Sequence, residues 1–190
     1  MSVKKEVMVE ISARHMHVSR EHLDILFGKG YELVNKKDLS QPGQYACEEK
    51  VTVVGGKGEM KMSILGPVRP DTQVEVSLTD ARTLGIDAPV RESGDIAGTP
   101  GCKLVGPKGE VTIDKGVIAA KAHIHFATEE ASEYGICDKD LVSVRICGAR
   151  EITISNVVAR VNPNFKRAMH IDTDEANAAG IKGTVNGEIV

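Results

Sequence analysis

The sequence predicts a mainly β protein with short helices, folded as closed antiparallel or mixed barrels. Short runs rich in Val and Ile recur along the whole chain, which is typical of strands. Glycine-bearing turns join several of these runs, and the helical patterns between them are short. Because no long helical segment separates successive strands, a doubly wound parallel sheet is not indicated.

The predicted strands are short and rich in aliphatic side chains. In chain order they are KEVMVEIS, EKVTVVG, MKMSILG, TQVEVSL, GCKLVG, EVTI, GVIAA, LVSVRI and EITISNVVARV. The connections Gly55-Gly56-Lys57-Gly58 and Gly106-Pro107-Lys108-Gly109 favour hairpins, because glycine adopts the positive φ of tight turns. Residues 36–44 and 91–101 are rich in turn-forming residues and are predicted to be loops over the ends of the barrels.

Three predicted helices share one sequence pattern, which makes an internal repeat. The copies are Asp80-Ala81-x-x-x-Gly85-Ile86, Glu130-Ala131-x-x-x-Gly135-Ile136 and Glu175-Ala176-x-x-x-Gly180-Ile181. Each begins near a threonine that we expect to cap the first turn, namely Thr79, Thr128 and Thr173. Each ends at a glycine suited to the left-handed position that terminates a helix. A looser fourth copy covers residues 19–28.

Composition excludes several classes of protein. Lys and Arg are scattered in a chain of net charge -3, and aromatic residues make up 3% with no Trp, so we expect no nucleic-acid partner. No run approaches the ~18 apolar residues of a membrane span, and the N-terminus lacks an export signal. The cysteines show no C-x-x-C spacing, which favours reduced thiols and a cytoplasmic location; they are Cys47, Cys102, Cys137 and Cys147.

Histidines are clustered in the sequence. Four of the six form two H-x-H pairs, His15-Met16-His17 and His123-Ile124-His125. Residues i and i+2 of a strand share a face, so both imidazoles of a pair can reach one ion. A single H-x-H pair is as often two surface histidines as a metal site, but two pairs in one chain favour metal binding.

The internal repeat supplies ligands to complete each pair. Counting back five residues from the first acid of each repeated block gives Glu75, His125 and His170. We therefore predict two sets of metal ligands, which are His15, His17 and Glu75 for one ion and His123, His125 and His170 for the other. Three protein ligands leave one position for water or substrate, as in catalytic zinc sites.

Other polar residues near these motifs have weaker signals. Arg69 lies between Pro67 and Pro70, six residues before Glu75, and either clamps a phosphate beside the ion or is an exposed loop arginine. Arg14 and Arg91 are further candidates of the same kind. His22 lies in a polar helix and is predicted to be solvated rather than a seventh ligand. We assign no role to Cys47 and Cys102, because no neighbouring residue activates them.

Several long motifs resemble one family. At SARHMHVS, DLSQPGQYACEEKVT, LGPVRPDTQVEVSLTDARTLGI, PVRESGD and MHIDTDEANAAG, the sequence is similar to the PduL-type phosphotransacylases, or phosphate propanoyltransferases. The resemblance implies two β-barrel domains capped by short helices, with a two-metal active site between them. It places the first barrel at residues 1–13 plus 121–190 and the second at residues 14–120.

The resemblance also implies an activity and its site residues. The family converts a short-chain acyl-CoA, such as propanoyl-CoA or acetyl-CoA, and phosphate reversibly into acyl phosphate and CoA. Its metal ligands match the six residues predicted above, its phosphate-binding arginine matches Arg69, and zinc and a homodimer are implied. Members housed in bacterial microcompartments carry an N-terminal extension, whereas about a dozen residues precede the first histidine pair here. We therefore expect a freely cytoplasmic enzyme, with the lumen of a bacterial microcompartment as the weaker alternative.

Two other functions are compatible with the same residues. A two-zinc hydrolase would activate water against a thioester or phosphoester, and dependence on phosphate separates it from a transferase. A metal-stabilised barrel that binds a partner would need both sites closed by four ligands, and the sequence supplies no convincing fourth ligand. The sequence contains neither a nucleotide-binding glycine loop nor a serine nucleophile elbow.

Overall fold

The computed structural model describes residues 5–190, which form two compact units. The first unit comprises the described residues up to Ser12, Ser40–Pro42 and Lys121–Val190. The second unit comprises Ala13–Leu39 and Gly43–Ala120. Residues 1–4 of the predicted first domain lie outside the described part of the chain.

Strands dominate both units. Residues 5–190 contain fifteen strands and four helices, in the order β1 (Glu6–Ile11), β2 (His15–His17), α1 (Arg20–Phe27), β3 (Asn35–Asp38), β4 (Tyr45–Val54), β5 (Glu59–Gly66), β6 (Gln73–Val76), α2 (Leu78–Leu84), β7 (Val90–Arg91), β8 (Cys102–Val105), β9 (Glu110–Ile113), β10 (Val117–Ala120), β11 (His123–Phe126), α3 (Thr128–Tyr134), β12 (Leu141–Ile146), β13 (Ile152–Val161), β14 (Ala168–Ile171), α4 (Thr173–Ala179) and β15 (Val185–Ile189).

The first unit is a closed six-stranded barrel. Its strands follow the order β1-β14-β11-β13-β12-β15, and β1 closes the barrel by pairing in parallel with β14 and antiparallel with β15. Alternate side chains of the strands point inward. They form an apolar core that includes Val9, Ile124, Phe126 and Met169, all of them fully buried.

The second unit is a curled nine-stranded sheet. Its strands follow the order β7-β10-β6-β2-β5-β4-β8-β9, and β3 pairs with β4 outside this path. Long β4 and β5 pair as the hairpin predicted at Gly55–Gly58, and β8 and β9 pair as the hairpin predicted at Gly106–Gly109. Helices α1 and α2 contribute Leu23 and Leu84 to the core.

Helices α2, α3 and α4 confirm the predicted repeat but not its caps. Gly85, Gly135 and Gly180 all end their helices in the left-handed conformation, as expected. The predicted caps Thr79, Thr128 and Thr173 are wrong, because each threonine lies inside the first turn. The N-cap residues are Ser19, Ser77 and Asp172, whose side chains accept a hydrogen bond from a backbone N–H of the first turn. Ala127 is the N-cap residue of α3 and has no side-chain oxygen.

Three hairpin turns pack against the ends of three helices. The N–H of Lys57 donates to the Leu84 carbonyl at 2.9 Å, that of Lys108 to Leu26 at 3.0 Å, and that of Arg150 to Ala179 at 3.0 Å. Each bond satisfies a carbonyl that the last turn of a helix leaves unpaired. The hairpins therefore fix the ends of α1, α2 and α4, the helices that follow β2, β6 and β14.

The observed architecture confirms a mainly β fold with two barrel-like units and short helices. Two segments predicted as loops contain short strands, since β3 begins at Asn35 and β7 ends at Arg91. The side chains of both strands are exposed and show no apolar alternation, so the sequence pattern does not predict them as strands. Among residues 5–190, no helix has the length and apolar character needed to cross a membrane.

Candidate metal centres and active-site residues

Strand pairing in the second unit brings together His15, His17 and Glu75, a group we call the His15 cluster. Strand β2 lies between β5 and β6, and its antiparallel pairing with β6 places His15 directly opposite Glu75. Side chains of paired residues lie on the same face, as do those of residues two apart on a strand. The three possible ligand atoms lie within 4.8 Å of one another.

The imidazoles of the His15 cluster are fixed by backbone carbonyls. The Nδ1–H of His15 donates to the Ala13 carbonyl at 2.9 Å, and that of His17 donates to the Leu65 carbonyl at 3.1 Å. Each Nε2 atom is then directed at the carboxylate, at 3.4 Å from Glu75 Oε2 for His15 and 3.8 Å from Oε1 for His17. A histidine whose Nδ1–H is held by a carbonyl is in the tautomer that offers Nε2 to a metal.

Burial and mutual charge set the protonation of this cluster. Burial and the neighbouring charges of His15 and Arg69 lower the pKa of His17 to about 3. Burial acts against charge on His15 and Glu75 as well, but their attraction and hydrogen bond outweigh it. The pKa of His15 is therefore raised and that of Glu75 is held well below its usual range. Both shifts favour the charged forms of the two side chains.

Two further polar residues contact Glu75, and Arg69 contacts one of them. Its Oε1 atom accepts hydrogen bonds from Gln73 Nε2 at 2.6 Å and from Ser93 Oγ at 2.8 Å. Arg69 Nη1 lies 3.4 Å from Ser93 Oγ, and the backbone N–H of Arg69 donates to the carbonyl of Val18, the residue after His17. The structure therefore places the predicted phosphate-binding arginine beside the His15 cluster.

Strand pairing in the first unit repeats this arrangement with His123, His125 and His170, the His123 cluster. Strand β11 lies between β13 and β14, and its antiparallel pairing with β14 places His123 opposite His170. The Nδ1–H of His123 donates to the carbonyl of Lys121 at 2.9 Å, as that of His15 does to Ala13. The three possible ligand atoms again lie within 4.8 Å of one another.

The His123 cluster differs from the His15 cluster in its charge. Its three ligand-capable side chains are all imidazoles, and Glu10 is at its edge, with Oε2 at 3.9 Å from His170 Nδ1. Burial, then the charges of His123, His170 and Arg160, lower the pKa of His125 to about 2. Arg160 lies on β13 directly beside His125 in the parallel pairing of β11 and β13.

The donors of both clusters fit a divalent ion of the zinc type. Imidazole nitrogen and carboxylate oxygen are preferred zinc ligands, and the low pKa of His17 and His125 keeps a lone pair available at neutral pH. The buried Nδ1 atom of His125 has no hydrogen-bond partner among the described residues. An unsatisfied buried nitrogen costs free energy unless a ligand occupies it, and a metal ion would do so.

The weaker candidates lie elsewhere. His22 belongs to neither cluster, and its Nδ1 atom lies 2.8 Å from the Thr72 hydroxyl. Arg14 pairs with Asp80 at 3.1 Å, and Arg91 pairs with Asp95 at 3.3 Å. These arginines therefore already have carboxylate partners within the chain.

The cysteines that we assigned no role are buried. Burial raises the pKa of Cys47 to about 11 and that of Cys102 to about 12. A thiol with such a pKa is a poor nucleophile at neutral pH, because only the thiolate reacts. Neither side chain has the properties of a covalent catalyst.

Comparison with known proteins decides the family. A family model described as phosphate propanoyltransferase matches residues 8–182. The chain belongs to the phosphate propanoyltransferase family. Among its relatives, the phosphate propanoyltransferase of Clostridioides difficile is 53% identical over 187 residues, covering 96% of this chain and 90% of the relative.

Other members of the family are similarly close. The phosphate propanoyltransferase of Listeria monocytogenes is 50% identical over 185 residues, covering 97% of this chain and 87% of the relative. That of Thermotoga maritima is 52% identical over 175 residues, covering 91% of this chain and 83% of the relative. The match therefore extends over both units of the chain.

Sequence reasoning missed Gln73, Ser93 and Arg160. Gln73 had a signal, since it lies two residues before Glu75 on the same strand and therefore on the same face. Ser93 comes from a segment without periodicity, and only the fold brings it to Glu75. Arg160 becomes visible only once the register of β11 and β13 is known.

Proposed function

We propose that this chain is a phosphate acyltransferase with two zinc ions. It would convert a short-chain acyl-CoA, propanoyl-CoA or acetyl-CoA, and phosphate reversibly into acyl phosphate and free CoA. The observation that carries the proposal is the pair of three-residue clusters in a member of the phosphate propanoyltransferase family. One cluster is buried and lies beside Arg69, and the other is partly buried.

Six side chains would hold the ions. The ligands are His15, His17 and Glu75 for one ion and His123, His125 and His170 for the other. A bound zinc ion supplies Lewis acidity, which stabilises negative charge developing on an oxygen or sulfur atom nearby. The chain contributes the fixed tautomers of its imidazoles and the ionised carboxylate of Glu75.

Arg69 would bind the attacking phosphate. Its guanidinium presents a planar array of donors that matches phosphate oxygens, and its backbone is anchored to β2 through Val18. Holding phosphate and thioester together in a reactive geometry can remove ~7 to 11 kcal/mol of barrier in favourable cases. Arg69 thus acts by positioning and by neutralising charge.

The reaction would proceed by direct attack. A phosphate oxygen forms a bond to the thioester carbonyl carbon, the bond from that carbon to sulfur breaks, and CoA leaves as a thiolate that takes up a proton. No acyl-enzyme is formed, in keeping with the high pKa of both buried cysteines. This scheme requires sequential kinetics, and an acylated protein isolated after incubation with acyl-CoA alone would contradict it.

The decisive experiment measures release of free CoA thiol from acetyl-CoA and propanoyl-CoA by zinc-loaded protein. Each reaction is run with and without phosphate, and again with protein stripped by a chelator. The proposal requires release that depends on both phosphate and zinc, and the two rates rank the acyl groups. Release without phosphate would indicate a hydrolase, and no release under any condition would refute catalysis.

Arg69→Ala tests the role of Arg69 within this proposal. We expect the KM for phosphate to rise and turnover to fall, because the phosphate loses its charged donor. Arg82→Ala is a suitable control, since Arg82 is an exposed arginine on α2. An unchanged KM for phosphate in the Arg69 variant would show that Arg69 does not bind the phosphate.

We also propose a cytoplasmic homodimer, on the family resemblance alone. Light scattering coupled to gel filtration measures the mass of the particle against the 20.4 kDa of one chain. A particle with the mass of a single chain at working enzyme concentration would rule out the dimer.

A further inference from the structure

One hydroxyl group links the metal ligand Glu75 to Arg69. Ser93 Oγ donates to Glu75 Oε1 at 2.8 Å, and it accepts from Gln73 Nε2 at 2.9 Å and from Arg69 Nη1 at 3.4 Å. A serine hydroxyl has one donor and two acceptor positions, so all three are in use. The orientation of this hydroxyl is therefore fully determined by its neighbours.

Gln73 fixes the same assembly from the other side. Its Oε1 atom accepts the backbone N–H of Gly94 at 2.7 Å, which assigns the amide orientation because an N–H can only donate. Its Nε2 atom then necessarily faces Ser93 and Glu75, at 2.9 and 2.6 Å. Gln73 is buried, with 3% of its surface exposed, so water does not replace these bonds readily.

The two carboxylate oxygens of Glu75 have different partners. Oε1 of Glu75 accepts from both Ser93 and Gln73, whereas Oε2 is the oxygen that faces His15 Nε2 at 3.4 Å. A carboxylate held through one oxygen cannot rotate freely about its terminal bond. Oε2 is thereby kept in the direction of His15 Nε2, while His17 Nε2 lies 3.8 Å from Oε1.

We propose that Ser93 is a positioning residue that sets the geometry of Glu75 and of Arg69 together. The inference rests on the proposed function, in which Glu75 holds an ion and Arg69 binds phosphate. Loss of the hydroxyl would free one side of the carboxylate and remove the contact of the guanidinium, so metal affinity and phosphate binding would change in one variant. A serine that merely satisfied a buried carboxylate would affect stability and neither of these quantities.

The test compares Ser93→Ala, Ser93→Thr and the control Ser132→Ala. Ser132 is an exposed serine whose hydroxyl donates to Thr128 in its own helix, at 3.0 Å. Zinc affinity is measured by competition with a chromophoric chelator in the absence of substrate. The KM values for phosphate and for acyl-CoA are measured separately on zinc-saturated protein, and thermal unfolding verifies that each variant is folded.

We expect Ser93→Ala to bind one of its two ions about 10 to 100-fold more weakly, the usual cost of losing a residue that orients a ligand. The KM for phosphate should rise several-fold while that for acyl-CoA stays the same. Ser93→Thr, which keeps a hydroxyl, should recover most of both losses. The control should match the parent protein in both quantities.

Two results would overturn the inference. Unchanged zinc affinity in a folded Ser93→Ala protein would show that the hydroxyl does not position Glu75, and an unchanged phosphate KM would show that it does not position Arg69. The zinc titration needs no turnover. If the parent protein binds zinc but transfers no acyl group, the proposed function fails while the effect on Glu75 is still measured.

Discussion

Replacing Gly55 by alanine tests the contact between the hairpin of β4 and β5 and the end of helix α2. A Cβ atom on Gly55 would lie 2.2 Å from the Leu84 carbonyl oxygen and 2.9 Å from its carbonyl carbon. Both are backbone atoms and both distances are below the 3.0 Å limit that real Cβ contacts respect. The hairpin or the helix end must move, and the bond from the Lys57 N–H to the same carbonyl is strained with it.

The cost follows from these contacts. Overpacking of this kind costs ~1 to 3 kcal/mol, and weakening one hydrogen bond adds ~1 kcal/mol. We therefore expect Gly55→Ala to lower the free energy of unfolding by about 2 to 4 kcal/mol. For a chain of this size that corresponds to a fall in Tm of about 4 to 16 °C. Circular dichroism during heating and in denaturant measures both quantities.

Gly56→Ala is the matched control for this prediction. The nearest atom to a Cβ on Gly56 is the Gly85 carbonyl oxygen at 3.5 Å, an ordinary contact, and its φ lies outside the left-handed region. This variant should unfold within about 0.5 kcal/mol of the parent protein, as substitutions free of such strain do. If the two variants have the same free energy of unfolding, the close approach at Gly55 does not limit stability and the reasoning fails.

Three further predictions concern the clusters. Glu75→Ala and His125→Ala should each reduce bound zinc from about two ions to about one per chain by elemental analysis, because each removes one of three donors, whereas His22→Ala should keep both. The metal-free protein should lose stability as pH falls below 6.5, by up to ~1.4 kcal/mol per pH unit from His125 alone. In the unfolded chain His125 binds a proton below pH 6.5, whereas in the folded protein burial lowers its pKa to about 2. Denaturant unfolding at pH 7 and pH 5 measures the free energy of unfolding, and the decrease between the two should be smaller in His125→Gln than in the parent protein. Arg160→Gln should strengthen zinc binding at the His123 cluster several-fold, since it removes a nearby positive charge, and the exposed Arg150→Gln should leave it unchanged; equal affinities in chelator competition would contradict this.

The ligand-capable residues could be grouped from the sequence because two periodicities coincide. Alternation along a strand puts His15 and His17 on one face, and the repeat of strand and helix aligns Glu75 with His170. The strand pairs β2 with β6 and β11 with β14 then bring each pair to its third member. Spacing alone was sufficient here, because each group needs only one strand-to-strand contact.

The helix caps could not be predicted by the same counting. Threonine and serine both cap helices, and Ser77 and Thr79 are two residues apart, so a small error in the helix start selects the wrong one. At α3 the capping position is Ala127, which has no side-chain oxygen, and no preference in the sequence could identify it. Tertiary packing determines where this helix begins.

Strand β15 was missed for a different reason. Its sequence VNGEI contains Gly187, which weakens the strand pattern. In the barrel, a Cβ at this position would lie 2.9 Å from Val144 Cγ1 and 3.0 Å from Val9 Cγ2. The glycine permits the close approach of neighbouring strands, so the feature that conceals the strand in the sequence is required by the barrel.

The closure of the barrel by β1 determines when the first unit can fold. Val9 pairs with Met169 on one side and with Val185 on the other, so the ribosome synthesises both partners long after β1 itself. At a synthesis rate of ~5 to 20 residues per second, the interval is of the order of 10 to 35 s. During that interval β1 presents the apolar Val7 and Val9 on an unpaired edge, which is the condition for non-native pairing. The second unit ends at Ala120, so its residues are all synthesised before those that complete the first unit.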